Sequence, residues 1–470
     1  MNKKYLGLPY VLQFLLVNLY GLKIKRKRYN NDFYAQLNNF TLLDRTESPG
    51  LNLDRIIENT KNSKFYKIKS ETDFYNSPIV NKEIVKENYD SILNPDYIQQ
   101  YYNTSGTTGS GLKYPVCRQF VFSQWAIFWK FRYLFHLTTD SWCAYIIGKS
   151  ILNSDRTKPP YWIKSYFTKQ YLFSSCHLNK DTVKLYLEEI KKSKIKWMHG
   201  FPSTLNDLAD LIEKTDLKQL ARELELSIIT TSSETLFEFQ KRNIEKVFGC
   251  KLKQFYSMTE GVASIYECEE GSLHVDESFS FVEFLKVNGT DDEYRVVGST
   301  YFNKAFPLIR YDTGDIVKIH DINAKCSCGR NSRIVNEILG REQDFLILKD
   351  GTRVGGSGFF FKKAPNVKRA QIIQKHKGEA TFYIVKGINY SKEEEQVIID
   401  EVTNRLGKSF KFRIVYTDKL RKLNNGKMKF VINEIKQDDI DNNASILEHE
   451  FEHQDETFTG DVLHYQQNKF

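Results

Sequence analysis

The chain has 470 residues, of which 41% are hydrophobic and 14% aromatic, and its formal net charge is +9. This composition excludes a disordered, collagen-like or disulfide-scaffold protein, and the length allows roughly two to four domains with a large buried core. The net charge is modest for this length. We interpret the basic stretch at residues 25–28 as a solvated segment, so no nucleic-acid partner is predicted.

An apolar stretch at residues 5–22 is the candidate for targeting or membrane insertion. Pro9, Gln13 and Asn18 interrupt it, so it lacks the run of about 18 apolar residues that a span requires. No small-residue cleavage site follows it. We expect an amphipathic helix that packs on the body of the protein; peripheral association with a membrane surface is the less favoured alternative. The expected location is cytoplasmic, with the seven cysteines reduced.

Helical and strand patterns alternate beyond the first hundred residues, which are predicted to form helices and loops. Helical periodicity occurs at residues 120–137, 181–194 and 204–214. Short apolar runs typical of strands occur at residues 195–198, 226–231 and 252–256. The alternation predicts an α/β fold whose large N-terminal domain contains doubly wound, largely parallel sheets. Longer alternating strands at residues 278–317 predict a distorted, β-barrel-like part of the same domain.

A second domain is predicted after Gly340, where the pattern restarts. Its strands are predicted at residues 345–348, 370–374, 380–385 and 411–416, and its helix at residues 391–406. This order indicates a small, mobile α+β domain of roughly a hundred residues. The predicted segments are a large domain at residues 1–343, a small C-terminal domain at residues 344–436 and a polar tail at residues 437–470.

A loop rich in glycine and hydroxyl side chains precedes the helical pattern at residues 120–137. It consists of Thr104, Ser105, Gly106, Thr107, Thr108 and Gly109. No Gly-Lys-Ser/Thr closes it, so it is not a Walker loop. Its backbone N–H groups and hydroxyls can still wrap phosphate oxygens, and its glycines let the backbone approach a ligand closely. Taken alone, an ordinary Ser/Thr/Gly turn is the alternative.

Five further motifs follow this loop in order. They are Thr231-Ser232-Ser233-Glu234, Tyr256-Ser257-Met258-Thr259-Glu260, Tyr311-Asp312-Thr313-Gly314-Asp315, Gly340-Arg341-Glu342-Gln343-Asp344 and Asn425-Gly426-Lys427. With these motifs the chain resembles the acyl- and aryl-adenylate-forming superfamily. Within it, the chain is most similar to the phenylacetate–CoA ligase branch and its relatives in capsular polysaccharide biosynthesis. The resemblance covers nearly the whole chain.

The resemblance implies an ATP site. The loop at residues 104–109 would bind the phosphates, and Ser233 and Glu234 would line the adenine pocket. Tyr256 would face adenine in a motif that also holds Ser257 and Thr259.

Charged residues complete the site that the resemblance implies. Asp315 would accept hydrogen bonds from the ribose hydroxyls, and Arg341 would belong to the same ATP site. Glu260 would help to hold Mg²⁺, and Lys427 would be the catalytic lysine. Asp344 would be the hinge between the two domains.

These roles fit the chemistry of adenylation. A carboxylate that attacks the α-phosphate of ATP must overcome the repulsion between anions, so catalysis consists mainly of positioning and charge neutralisation. Mg²⁺ held through Glu260 would offset phosphate charge, and Lys427 would add a mobile positive charge. A carboxylate such as Asp315 suits a pair of ribose hydroxyls. The structural alternatives are a surface lysine and a turn-capping aspartate.

Four potential metal ligands occur in two separate segments. They are Cys268, His274, Cys326 and Cys328. In the phenylacetate–CoA ligase branch, the corresponding stretches lie between the Tyr-x-x-Thr-Glu and Gly-Arg-x-x-Asp motifs. Three thiolates and one imidazole would complete a closed tetrahedral site, so we predict structural Zn²⁺. Core or loop cysteines and a solvated histidine are the alternative.

The resemblance places four consecutive residues in the acyl pocket. They are His199, Gly200, Phe201 and Pro202. The structural alternative is the start of a helix, with Pro202 in its first turn and Ser203 or Thr204 as its N-cap.

Two departures from the family pattern limit what the resemblance implies. Ser257 stands where glycine is usual in the adenine motif. Residues 350–358 lack the Gly-Val-Asn-Val-Phe/Tyr-Pro-like turn that CoA ligases commonly carry after the hinge. The adenylation step is therefore better supported than CoA as the acceptor.

We expect an ATP-dependent enzyme that adenylates a small-molecule carboxylate and transfers the acyl group to an acceptor, for which CoA is one candidate. Two alternatives stay open. The first is transfer of the acyl group or of AMP to an amine or a sugar in surface-polysaccharide biosynthesis. The second is a non-catalytic scaffold in that pathway. The sequence identifies neither the acid nor the acceptor, and both a monomer and a homodimer are compatible with it.

Overall fold

The computed structural model divides the chain into two compact units, Met1–Glu342 and Gln343–Phe470. The residues that it describes are 3–46, 50–103, 113–147, 151–287, 290–341, 346–354, 360–361, 363–364, 366–387, 389–421 and 428–435.

The first unit begins with helices and continues with alternating strands and helices. Its described helices are α1 Lys3–Leu6, α2 Tyr10–Arg28, α3 Asn31–Thr46, α4 Leu53–Thr60, α5 Glu71–Asn76, α6 Lys82–Glu87, α7 Tyr89–Ile92, α8 Arg118–Tyr133, α9 Val183–Lys192, α10 Pro202–Lys214, α11 Lys218–Arg222 and α12 Glu238–Phe248. Its described strands are β1 Gln100–Asn103, β2 Lys113–Val116, β3 Cys143–Ile147, β4 Trp162–Ser165, β5 Gln170–Ser174, β6 Trp197–Gly200, β7 Ile228–Ser232, β8 Leu252–Ser257, β9 Ser264–Glu267, β10 Leu273–Val275, β11 Ser280–Lys286, β12 Glu293–Thr300, β13 Tyr311–Lys318, β14 Ile334–Val335 and β15 Glu337–Arg341.

A nine-stranded sheet forms the centre of this unit. Its strand order is β14-β10-β9-β8-β7-β6-β3-β5-β4. The five strands from β8 to β5 in this order are parallel, and the strands on both sides of them are antiparallel. Parallel neighbours require long connections, which the helices provide.

Two hydrophobic cores cover the two faces of this sheet. Successive residues of a strand point to opposite faces, and Trp197 and Met198 of β6 accordingly belong to different cores. Helices α9 to α12 contribute to the core around Met198, and α3 and α8 contribute to the core around Trp197. Helices on both faces confirm the predicted doubly wound fold.

A four-stranded antiparallel sheet follows, with the order β11-β12-β13-β15. It corresponds to the predicted run of longer alternating strands. Its register places Asp315 of β13 directly opposite Arg341 of β15. The small strands β1 and β2 form a separate antiparallel pair.

The second unit is a small α+β fold, as predicted. Its described elements are β16 Leu346–Ile347, β17 Arg353–Val354, β18 Val367–His376, β19 Glu379–Lys386, α13 Lys392–Leu406, β20 Lys411–Tyr416 and β21 Val431–Asn433. The larger sheet has the order β20-β19-β18-β21. Ser391 caps α13, because its side chain accepts from the Glu394 N–H while the Glu394 side chain reaches back to the Ser391 N–H.

Some element bounds differ from those predicted. Helix α8 ends at Tyr133, four residues before the predicted end, and His136 in the following turn has φ of +59°. The N-terminal helix α2 begins after Pro9 and continues to Arg28, beyond the apolar stretch. Within the described part of the chain, no helix is both long enough and apolar enough to cross a bilayer.

Candidate active site

The carboxyl ends of β6, β7 and β8 bring three of the predicted motifs to one edge of the nine-stranded sheet. β6 is followed by Phe201, β7 by Ser233, and β8 by the turn that carries Glu260. Because these strands are parallel neighbours, the three segments lie side by side. Ligands of open α/β sheets bind at this edge.

The turn that carries Glu260 is held against two neighbouring elements. The hydroxyl of Tyr114 in β2 donates to the Glu260 carbonyl at 2.9 Å, and Gln124 of α8 donates to the Met258 carbonyl at 3.2 Å. Gly261 has φ of +62°, and a Cβ there would lie 2.2 Å from a ring carbon of Phe120. Only glycine therefore fits directly after Glu260.

Asp315 connects two of the predicted motifs. The Tyr256 hydroxyl donates to Asp315 Oδ2 at 2.7 Å, and Arg341 Nε lies 3.5 Å from Asp315 Oδ1. The Thr313 hydroxyl donates to the Val296 carbonyl and accepts from the Asp315 N–H, which fixes the bend before Asp315. An adenine-facing tyrosine and a ribose-binding carboxylate would need this proximity.

The acidic residues of this edge occupy an environment that disfavours their ionisation. Burial raises the pKa of Glu260, and the charge of Arg341 acts in the opposite direction. Burial also raises the pKa of Asp315, against the effects of Arg341 and of the Tyr256 hydroxyl. Burial thus disfavours two negative charges at this edge, and a bound cation would offset them; the Glu260 carboxylate is of the ligand type that Mg²⁺ accepts.

The segment after β7 contacts the start of α10. Ser233 has φ of +74°, a left-handed conformation that is rare for residues other than glycine and is often found at functional sites. Glu234 Oε2 accepts a hydrogen bond from the Ser203 N–H at 3.1 Å. The predicted adenine segment is thereby tied to the predicted acyl-pocket segment.

The predicted N-cap of α10 is wrong. The helix begins at Pro202, so Ser203 and Thr204 lie inside its first turn, and the N-cap is Phe201, whose side chain makes no capping hydrogen bond. The Glu234 carboxylate satisfies one of the free N–H groups instead. An anion is also favourable at this end of a helix.

His199 and Gly200 lie at the end of β6. The His199 ring stacks on Tyr145 with centroids 5.3 Å apart, and its Nδ1 lies 2.8 Å from the Thr230 hydroxyl oxygen. Burial and the nearby charge of Arg132 lower the pKa of His199 to about 3, so this side chain is neutral at physiological pH. A Cβ on Gly200 would lie 2.5 Å from the Ile146 carbonyl oxygen, so no side chain fits there.

Arg132 is a residue of this region that sequence reasoning missed. Its guanidinium is buried and lies over the rings of Trp129 and Trp197, at 4.7 and 4.8 Å from their centroids. Within the described residues it forms no ion pair, whereas Lys130 pairs with Asp44 and Asp276. The sequence shows Lys130 and Arg132 two positions apart in an aromatic helix, but it does not show which of the two pairs with acidic residues.

The four predicted metal ligands meet at one place. The potential ligand atoms of Cys268, His274, Cys326 and Cys328 all lie within 4.8 Å of one another. The Cys268 and Cys326 sulfurs are 3.7 Å apart, and Cys328 Sγ is 3.3 Å from His274 Nε2. A tetrahedron with zinc–sulfur bonds of about 2.3 Å has edges of about 3.8 Å, so the donor set and its spacing fit zinc.

The surroundings of this cluster orient its side chains. His274 Nδ1 lies 2.9 Å from the Ser332 hydroxyl oxygen, which directs Nε2 towards the cysteines. Lys253 Nζ donates to the Cys268 carbonyl at 2.7 Å. Arg330 joins Asp44 and Glu269 beside the cluster. All seven cysteines are free thiols, so no disulfide competes for these ligands.

Several predicted site residues lie outside the described residues. They are the loop at residues 104–109, Asp344 and Lys427. The predicted polar tail at residues 437–470 also lies outside them.

Comparison with known proteins gives matches along the chain. The family model of the CapK C-terminal domain matches residues 346–434. Protein CapK of Staphylococcus aureus is 22% identical over 473 aligned residues, which cover 93% of this chain and 100% of that protein. A phenylacetate–coenzyme A ligase of Thermus thermophilus is 28% identical over 157 residues, 32% of this chain and 34% of the ligase.

Solved structures of 2-hydroxyisobutyryl-CoA ligase have a similar fold. The one in the postadenylation state, in complex with R3-HIB-AMP, gives a TM-score of 0.60 at 15% identity, over 82% of this chain and 89% of that chain. An open conformation in complex with 2-HIB-AMP and CoA gives a TM-score of 0.51 at 16% identity, over 81% of this chain and 90% of that chain. The chain is therefore a homologue of protein CapK and, more weakly, of phenylacetate–coenzyme A ligase, with the two-domain fold of the adenylate-forming acyl-CoA ligases.

Proposed function

We propose that the protein is an adenylate-forming ligase that condenses a small-molecule carboxylate with ATP, releases pyrophosphate and holds the acyl adenylate for transfer. The observation that carries this proposal is the hydrogen-bonded group of Tyr256, Asp315 and Arg341. It joins the predicted adenine and ribose motifs, which lie 59 residues apart in the chain. The solved relatives in complex with R3-HIB-AMP and 2-HIB-AMP support the same half-reaction.

The residues divide the work of the first step between binding and charge neutralisation. Tyr256, with Ser257 and Thr259 beside it, would contact the base, and Asp315 would accept hydrogen bonds from the ribose hydroxyls. Glu260 would hold Mg²⁺, which neutralises phosphate charge when bound. The loop at residues 104–109 would wrap the phosphates, and Lys427 would stabilise the charge that develops on the α-phosphate.

The acyl group would lie against the end of β6. His199, Gly200, Phe201 and Pro202 are the proposed lining, and the backbone at Gly200 packs directly against Ile146 and Leu205. A neutral His199 can donate or accept a hydrogen bond but adds no charge. The Glu234 carboxylate accepts a hydrogen bond from the Ser203 N–H, so the proposed acyl and adenine segments are in direct contact.

The acceptor defines two candidate second steps. CoA is one candidate, by analogy with the ligases that share the fold. Transfer of the acyl group or of AMP to an amine or a sugar of a surface polysaccharide is the other, and the resemblance of the motifs to the capsular-polysaccharide relatives favours it. The residues at 350–358 also depart from the pattern that CoA ligases carry. A non-catalytic scaffold is the third candidate.

ATP–pyrophosphate exchange with a panel of carboxylates tests the proposal, because it reads the first half-reaction without knowledge of the acceptor. We expect exchange with at least one acid and Mg²⁺, and none without the acid. Product analysis with CoA, amines or sugars then separates the candidate acceptors. If no acid supports exchange and calorimetry detects no ATP binding, a non-catalytic scaffold is the remaining candidate function.

We also propose that Cys268, His274, Cys326 and Cys328 bind one structural Zn²⁺. The support is their mutual distances and the fixed orientation of His274. With four protein ligands the site would be closed, so the ion would stabilise the fold and take no part in the reaction. Reduced cysteines and an ATP substrate both suit the cytoplasm, which we propose as the location.

A further inference from the structure

Helix α2 packs on the body of the large unit through a side that mixes apolar and polar residues, because Tyr10, Phe14 and Val17 on it contact a small apolar core. Gln13 and Asn18 are buried, although both interrupt the apolar stretch. Asn18 Nδ2 donates to the Lys164 carbonyl at 3.0 Å, and Asn18 Oδ1 accepts from the Tyr166 N–H at 2.9 Å. Gln13 Nε2 donates to the Tyr5 carbonyl. Specific hydrogen bonds therefore fix which side of the helix faces inward.

The opposite side of α2 is apolar and exposed. The large hydrophobic side chains on it, each between 44% and 65% exposed, are Val11, Leu12, Leu15, Leu16, Leu19 and Tyr20. Their spacing of three and four residues forms one continuous ridge. Surface helices of globular proteins usually expose polar and charged residues on their outer side instead. A ridge of this kind on the surface marks a binding site for a protein or a membrane.

Positive charge continues the ridge at the C-terminal end of the helix. Lys23 and Arg26 are exposed and follow Leu19 at helical spacing on the same side. A shallow depression at this junction is lined by Leu19, Leu22, Lys23, Arg26 and Lys27. The first 31 residues contain seven Lys or Arg and no Asp or Glu, whereas the whole chain has a net charge of +9. Most of the excess positive charge therefore lies in this segment.

Aromatic residues flank the helix. Tyr166 is 50% exposed, and its ring meets Phe14 edge-on with centroids 6.3 Å apart. Lys164 Nζ lies 4.7 Å from the Tyr166 ring centroid and 4.8 Å from that of Trp142. Tyrosine, tryptophan and lysine are the residues that anchor proteins at the membrane–water interface.

We propose that this surface, the exposed side of α2 with Tyr166, binds an anionic lipid bilayer. The leucines would enter the boundary between headgroups and acyl chains, and Lys23 and Arg26 would contact lipid phosphates. The helix would lie in the plane of the membrane while Gln13 and Asn18 on its inner side stay hydrogen-bonded to the protein. A second copy of the same face is a poorer occupant, because it offers no acidic residue to these cations.

Co-sedimentation of the full-length protein with vesicles tests the proposal. We expect binding to vesicles that contain phosphatidylglycerol, little binding to pure phosphatidylcholine, and weaker binding at high salt. The variant Lys23→Gln/Arg26→Gln should bind roughly 10- to 30-fold more weakly, because each cation near an anionic surface contributes about a factor of 5. Leu15→Gln/Leu19→Gln should also lose most of the binding.

A matched control separates this surface from general electrostatics. Lys180→Gln/Lys214→Gln removes the same charge from exposed positions of the large unit and should bind like the wild type. All these side chains are exposed, so thermal unfolding should be unchanged in each variant. The proposal is overturned if the wild type does not bind anionic vesicles, or if the α2 variants bind as well as the control. A dimer that only the leucine variant disrupts, without vesicle binding, would assign the ridge to self-association instead.

Discussion

Asp315 has the most sharply defined environment among the residues of the candidate site. It is opposite Arg341 in the sheet register and accepts a hydrogen bond from Tyr256. Its partners leave it able to accept from a diol, because a carboxylate has four lone-pair positions. Its neighbour Asp312 instead pairs with Arg295 and accepts from the Gly314 N–H. The two acids of one motif thus have separable roles.

We predict that Asp315→Asn raises the KM for ATP in pyrophosphate exchange by at least about 10-fold, because hydrogen bonds to a charged group contribute about 1.5–3 kcal/mol each. Asp312→Asn is the matched control and should change KM far less. Equal effects of the two substitutions would contradict the assignment of Asp315 to the ribose.

His199 makes the stability of the large unit depend on pH. Its pKa is about 3 in the folded protein, below the value of about 6.5 in an unfolded chain. Below pH 6.5 His199 becomes protonated in the unfolded chain while it stays neutral in the folded protein. The contribution of the neutral His199 to the free energy of unfolding is therefore lost as the pH falls towards 3.

We therefore predict that His199→Gln flattens the decline of the urea midpoint between about pH 6.5 and pH 4. The substitution changes the slope of the free energy of unfolding against pH by at most about 1.4 kcal/mol for each pH unit. An unchanged slope in His199→Gln would show that this imidazole titrates normally in the folded protein.

At the scale of elements, the sequence predicted the types of most helices and strands but not how they meet. Motif order and resemblance located Tyr256 and Asp315, yet their contact depends on the packing of two sheets. The tie between Ser203 and Glu234 is of the same kind, and local capping rules chose the wrong residue because the partner is 31 positions away. These features arise from tertiary packing, which the helix and strand propensities of single residues do not describe.

Helix α2 illustrates the same limit. The sequence predicted a helix that packs on the body, and the helix does so. The helix was expected to be amphipathic, but its inner side mixes Phe14 and Val17 with Gln13 and Asn18, whose side chains find backbone acceptors. A sequence pattern gives the two sides of a helix, and the acceptors on neighbouring elements decide which side is covered.

The metal cluster supplies a prediction at the scale of elements, because its ligands come from β10 and from the two loops beside it. We predict about one zinc per chain by metal analysis, and loss of zinc with a lower unfolding temperature in Cys328→Ser. Cys176→Ser replaces an exposed cysteine outside the cluster and should keep both properties. A wild-type protein without zinc, or a Cys328→Ser variant of unchanged stability, would remove the metal from the proposal.

At the scale of the whole molecule, the chain has two compact units, and the proposed catalytic residues divide between them. Glu260, Asp315 and Arg341 belong to the first unit, and Lys427 belongs to the second. We further propose that the small domain turns about Asp344, the hinge that the resemblance implies, so that Lys427 takes part in adenylation only.

We predict that Lys427→Ala reduces pyrophosphate exchange by at least about 100-fold, because it removes a charge that stabilises the transition state. Transfer from a chemically supplied acyl adenylate should keep its wild-type rate. The nearby Lys429→Ala is a control for the loss of charge and should affect neither step. Loss of both steps in Lys427→Ala would contradict the division of labour between the two units.

The Cys/His cluster also has a consequence for chain topology. Cys268 and Cys326 are 58 positions apart, and the segment between them contains β10 to β13, including Asp315. A metal that joins them closes this segment into a loop, as a cross-link would. Because such a site rarely exists in an unfolded chain, the free energy of metal binding would add directly to the stability of this folded segment. The ion would thus stabilise the segment that carries Asp315 without being part of the proposed nucleotide site.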